Sequence, residues 1–219
     1  MVNIGELEIL AVENSIISKK EGILARELKK AVKIELKKVK ARENLMQRML
    51  ESSNIRKKLV EKNREIIDRK IKNKAILHIP DAVLNNEKDY TIYNERIAQI
   101  QNKSAKIHKK IADLEREISE ERIKFANRKI DLSNERKQLS KFQFSYIKKV
   151  KKSSSKDKIA DTQNLYINKQ KEVEHARMRV MKKLNDIKKK ENKLAIYKGE
   201  LSATLNELEK IKHNNIPLD

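Results

Sequence analysis

The residues best placed to do chemistry in this sequence are cations gathered near one point. The chain reads Lys141-Phe142-Gln143-Phe144-Ser145-Tyr146-Ile147-Lys148-Lys149-Val150-Lys151-Lys152 and then, past Ser153-Ser154-Ser155, Lys156 and Lys158. Lysine ammonium groups are point charges for phosphate or carboxylate, and an exposed aromatic ring can stack on a base. Phe144, Lys148, Lys149, Lys151, Lys152, Lys156 and Lys158 therefore form a candidate contact for a polyanion or an acidic protein pocket. The plainer alternative is that Phe144 packs on a neighbouring helix and the lysines only keep that end soluble.

Catalytic and cofactor chemistry finds little support. His78, His108, His175 and His213 are scattered, with no second ligand at metal-binding spacing, and are expected at the surface. Gly5, Gly22 and Gly199 stand alone, whereas a phosphate-cradling loop needs closely spaced glycines. There is no cysteine, hence no thiolate zinc site, disulfide or thiol nucleophile. Carboxylates and lysines occur everywhere, but thin helical assemblies enclose no pocket that shifts a pKa. No catalytic residue, metal or cofactor is expected.

Charge narrows the partners without choosing among them. With 53 Lys and Arg against 32 Asp and Glu, the net charge is +21, which attracts nucleic acid, anionic surfaces and acidic proteins alike. A second basic region, Lys29, Lys30, Lys33, Lys37, Lys38, Lys40 and Arg42, covers several helix faces and lacks the order of a base-reading helix. Nucleic-acid binding would therefore be non-specific. No stretch approaches the roughly 20 apolar residues of a membrane span, and the N-terminus lacks the basic start of a secretory signal. A cytoplasmic location is expected.

The elements that would position these groups are long helices. The chain is 39% charged and 38% hydrophobic, with 3 Gly and 2 Pro among 219 residues, a profile of extended helices and not of a conventional core. An apolar row repeats every seventh residue through Tyr90, Ile97, Ser104, Ile111, Ile118, Phe125, Leu132, Leu139 and Tyr146. Another runs through Ile159, Tyr166, Val173, Val180, Ile187, Leu194, Leu201 and Leu208. Heptad rows this long bury themselves as a coiled coil, and the serine turn between them makes the two helices antiparallel. The spacing thus predicts an all-α fold with an elongated hairpin over 89–213, turning at 153–155, followed by a tail at 214–219. Ser154 with Asp157 fits a capping box.

Ahead of the hairpin, 1–75 reads as one long helix with weak points at Gly22 and at 52–54. Its apolar positions include Ile17, Leu24, Val32, Val39, Leu45, Met49, Leu59, Ile66, Ile67 and Ile71. Pro80 marks a connector over 76–88, whose apolar Ile76, Leu77, Ile79, Val83 and Leu84 are expected to pack over the end of the bundle.

A second hairpin row carries Glu121, Arg128 and Glu135 on one helix, and Gln163, Gln170, Arg177, Leu184, Glu191, Lys198 and Leu205 on the other. Either these polar groups pair across the seam, for instance with Arg177, or the seam there is thin and solvated. Ile123, Ile130, Met178, Met181, Ile196 and Ile211 widen the apolar faces beyond two rows, which calls for a third helix. The first helix is the nearest source, and self-association of hairpins is the competitor.

The stretch Pro80-Asp81-Ala82-Val83-Leu84 followed by Tyr90, Tyr93, Ile97 and Ile100 resembles the cytoplasmic export-stalk proteins of flagellar and type III secretion systems. The resemblance covers at most residues 1–152, and the third helix departs from that family's two-helix plan. It implies a stalk that contacts a ring ATPase and an export gate and carries no catalysis. From the residues themselves, the expected function is a non-enzymatic scaffold, spacer or stalk that binds protein partners. Polyanion binding through the basic tip is the alternative.

Overall fold

A computed structural model describes residues 3–152 and 155–213. The chain is all-α: α1 spans Ile4–Lys72, α2 Lys74–Leu77, α3 Asp81–Lys151 and α4 Lys156–His213. Ser153 and Ser154, hence the middle of the expected turn and its capping serine, lie outside the described residues, as does the 214–219 tail. At the start of α4 the Ser155 carbonyl accepts the Ile159 amide at 3.1 Å, which places Ser155 at the cap position.

The expected connector over 76–88 is corrected to a much shorter break. Asn73 and His78–Pro80 interrupt the helices, and α3 already begins at Asp81. Proline costs nothing at a helix start, where its missing N–H has no intrahelical role. The Pro80 carbonyl accepts the Val83 and Leu84 amides at 3.2 and 3.3 Å, and Asp81 places a negative charge in the first turn. His78 ends α2 in the left-handed region, at φ 48° and ψ 40°, a conformation that histidine adopts more readily than most side chains. Of the apolar residues here, Leu84 is buried, whereas Ile76, Leu77 and Val83 are exposed and do not pack over a bundle end.

Packing divides the chain into two units, each drawing on the three long helices. One comprises Met1–Lys37 with Glu117–Glu191, the other Lys38–Arg116 with Asn192–Asp219.

In the first unit, α1 runs antiparallel to α3. Ser140 Oγ donates to the Ala11 carbonyl at 2.8 Å, and Ser133 Oγ to the Ser18 carbonyl at 2.7 Å. Asn14 Nδ2 donates to Gln143 Oε1 at 3.2 Å, and Glu21 pairs with Arg136 at 2.9 Å. Serine hydroxyls reach a neighbouring main chain only when two helices approach closely. The residues permitting this are heptad rows of small side chains, Ala11, Ser18 and Ala25 on α1 against Ala126, Ser133 and Ser140 on α3, all buried. Gly22 belongs to this approach, since a Cβ there would lie 2.7 Å from Ser133 Oγ. The expected weak point is therefore a packing requirement, and α1 continues as helix through it and through 52–54.

α4 lies against α3 in the same unit. Leu132, Ala176 and Val180 form a core cluster with Phe125 and Val173 against it, while Tyr146 stacks on Tyr166 with ring centroids 6.5 Å apart.

The second unit repeats the scheme. Arg42–Glu115 at 3.2 Å, Arg116–Glu43 at 2.9 Å and Lys70–Glu87 at 2.7 Å tie α1 to α3 in antiparallel order. The small row of α3 continues here as Thr91, Ala98, Ala105 and Ala112, all buried. Lys198–Glu115 at 3.5 Å and Lys103–Glu207 at 3.7 Å place α4 alongside α3.

Candidate interaction surfaces

Around the basic tip, the structure separates groups that the sequence lists together. Lys149 is half-buried and donates to Thr162 Oγ1 at 2.7 Å, and Lys151 pairs with Glu8 at 2.9 Å. These two cations are already engaged within the first unit. Lys148, Lys152, Lys156 and Lys158 are exposed, and no ion pair engages them among the described residues. Phe144 is 40% exposed, so the expectation that it packs away against a helix is not met.

Along the hairpin rows, Ile111, Ile118, Leu132, Leu139, Val180 and Ile187 are buried. Ile97, Phe125, Tyr146, Ile159, Tyr166, Val173, Leu194, Leu201 and Leu208 are half-buried. Tyr90 is the exception and is corrected: it is 65% exposed. Glu207 of α4 already stands beside Lys103, and α4 is described only to His213, about 9 Å further at 1.5 Å per residue. Tyr90 lies thirteen positions beyond Lys103 on α3, past the described reach of α4.

The α1 stripe also shifts. Val32, Val39 and Ile67 are buried, but Ile17, Leu24, Leu45, Met49, Leu59, Ile66 and Ile71 are exposed. The positions facing α3 are the small ones beside them. Met178, Met181 and Ile196 of α4, expected to meet a third helix, are exposed as well.

The second α4 row is displaced by one residue. Thr162, Ala176 and Thr204 are buried, with Lys169, Lys183 and Lys190 half-buried between them; of the expected row, Gln163, Leu184 and Glu191 are half-buried, whereas Gln170, Arg177, Lys198 and Leu205 are exposed. These lysines receive the polar seam of α3: Lys169 meets Glu135 at 2.6 Å, Lys183 meets Glu121 at 2.7 Å, and Lys190 pairs with Glu117. Glu121 and Glu135 of the seam are thus cross-paired, with lysines as partners, whereas Arg128 is exposed and meets Asp131 of its own helix. Arg177 instead meets Glu174 of its own helix.

Hydrogen bonds from Lys124 and Lys183 hold the Glu121 carboxyl below its ordinary range. The same contact to Glu121 raises Lys183 above the usual lysine value. At Lys169 burial works in the opposite sense, but hydrogen bonds to Glu135 and Glu172 prevail and raise it. A depressed carboxyl contributes stability above its unfolded pKa and loses it as the pH falls; raised lysines lose theirs as the pH rises past the ordinary lysine value. Urea titrations between pH 7 and 3 should therefore show stability falling through the carboxylate range, with a shallower fall in Glu121→Gln.

In the second unit an open groove of about 430 Å³ is lined by Arg48, Ser53, Arg56, Ser104, His108 and Leu208, among others. It exists because Ser53, Ser104 and Ala105 bring small side chains to one level. Ser53 Oγ is buried and has no hydrogen-bond partner among the described residues. His108, expected at the surface, is half-buried, and burial lowers its pKa below the usual imidazole value.

Beyond the described span of α4, the same unit has an apolar face between α1 and α3. Two adjoining grooves, of about 200 and 250 Å³, are lined by Ile66, Ile67 and Tyr90 in one, and by Leu59, Tyr90 and Ile97 in the other. Leu59, Ile66 and Tyr90 are all at least half exposed.

Among the described residues no group of His, Asp and Glu could hold a metal ion, and no helix is long and apolar enough to cross a membrane. No family model matches the chain, and no curated protein and no solved structure matches it significantly.

Proposed function

We propose that the protein is a non-enzymatic coiled-coil scaffold that docks a helix of a protein partner on the α1–α3 face past the end of α4. The observation that supports this reading is the continuity of one row. From Ser104 to Leu139, α3 presents that row beside α4, and the same row runs on through Ile97 to Tyr90 with Leu59 and Ile66 of α1 beside it. A groove of this kind accepts an amphipathic helix by its apolar stripe. In a secretion-system export stalk, the assembly suggested by the resemblance, the docked element would belong to the export machinery.

A second reading rests on the exposed ring of Phe144 with Lys148, Lys152, Lys156 and Lys158, which suits non-specific polyanion contact.

The two are separated by paired variants of the full chain. Leu59→Asp/Ile66→Asp changes exposed positions and should keep helicity while abolishing co-purification of partners from the source cells. Charge reversal of the four lysines to glutamate should leave that recovery intact and remove binding to single-stranded DNA. Partner recovery lost with the tip variant and kept with the face variant would reverse the assignment.

A further inference from the structure

In the first unit α1 has an apolar face that no other described residue buries. Ile9, Ile16 and Ile23 form one heptad row, and Leu10, Ile17 and Leu24 another. All six are between 39% and 63% exposed. At about 100° per residue the first row lies about 160° from Ala11, Ser18 and Ala25, which pack toward α3, and the second about 100° from them, so the face they share is turned away from that contact. Between the two rows stand Glu13, Lys20 and Glu27, exposed and in no ion pair among the described residues.

We propose that this face binds the same face of a second copy of the chain, with the two α1 helices antiparallel about a two-fold axis between Ile16 and Ile17. The charge order selects the register. With the axis there, Glu13 of each copy faces Lys20 of the other, Ile9 faces Leu24, Leu10 faces Ile23, and Ile16 faces Ile17. Every member of the contact thus finds a complementary member, as a two-fold contact requires. An axis at Lys20 would instead oppose Lys20 to itself and Glu13 to Glu27. In the chosen register Glu6 meets Glu27 at either end, which confines the contact to the span from Ile9 to Leu24. A bilayer is the less suited occupant, because Glu13 and Lys20 sit in the middle of the face that would enter it.

This inference stands apart from the α1–α3 groove of the second unit, and neither depends on the other. Sedimentation of the full chain across micromolar concentrations tests it. The wild type should dimerise. Glu13→Lys alone, or Lys20→Glu alone, should weaken dimerisation about tenfold or more, since two symmetric contacts turn from attraction to repulsion together. Glu13→Lys/Lys20→Glu should restore it. Circular dichroism should be unchanged throughout, because the substituted side chains are exposed. A monomeric wild type, a dimer indifferent to the single substitutions, or a double variant no better than the singles would overturn the proposal. So would a monomer that binds vesicles of phosphatidylserine and phosphatidylcholine in an Ile16-dependent way.

Discussion

Leu132→Ala should lower the stability of the protein by about 2–5 kcal/mol, the cost of removing a buried leucine and leaving a cavity. Leu132 is 4% exposed and belongs to the cluster with Ala176 and Val180, against which Phe125 and Val173 pack. Its neighbours are held on two antiparallel helices, so they close only partly over the gap. Tyr90→Ala on the same heptad row is the internal comparison and should cost little, because Tyr90 is 65% exposed. Urea unfolding followed by circular dichroism measures both. Equal losses at the two positions would mean that the row is buried uniformly.

Gly22→Leu should destabilise by about 1–3 kcal/mol or more, the usual cost of forcing atoms into a packed contact. The first added carbon already falls 2.7 Å from Ser133 Oγ, and that hydroxyl is held by its bond to the Ser18 carbonyl. Combining Gly22→Ala with Ser133→Ala should therefore cost less than the sum of the single changes, a coupling that a double-mutant cycle isolates. Gly199 should behave oppositely. A Cβ there meets nothing within 4 Å, so Gly199→Ala should stabilise by about 1 kcal/mol through helix propensity alone. Two helical glycines thus respond with opposite signs, and only their surroundings separate them.

That contrast shows where the sequence is legible and where it is not. Large apolar residues at every seventh position announce themselves, and Ile111, Ile118, Leu132, Leu139, Val180 and Ile187 are buried. The α1–α3 contact escapes the same reading because its rows are alanine and serine. These carry little hydrophobic signal and act by permitting close approach, a property of two surfaces together and not of one. The larger residues next to them on α1, such as Ile17 and Leu24, draw the stripe to the wrong face.

The second row of α4 was misplaced for a related reason. Lysines at 169, 183 and 190 look like surface residues until Glu135, Glu121 and Glu117 are found opposite them. Pro80 was legible as an interruption, but its compatibility with a helix start kept the interruption short. Of the candidate surfaces, the lysines and ring of the tip could be named from sequence, whereas the groove between α1 and α3 could not. The groove lies past the described span of α4, whose offset along α3 is set by cross-helix contacts such as Lys103–Glu207.

The scaffold reading is tested most directly by placing a photo-crosslinking side chain at single exposed positions along 55–97 in the source cells. The account predicts a discrete protein adduct at positions 59 and 66 of α1 and 90 of α3 and none at the neighbouring solvent-facing positions 58, 65 and 89, a pattern that marks a partner docked on one face. Adducts of equal yield at all six positions, or at none of them, would contradict it.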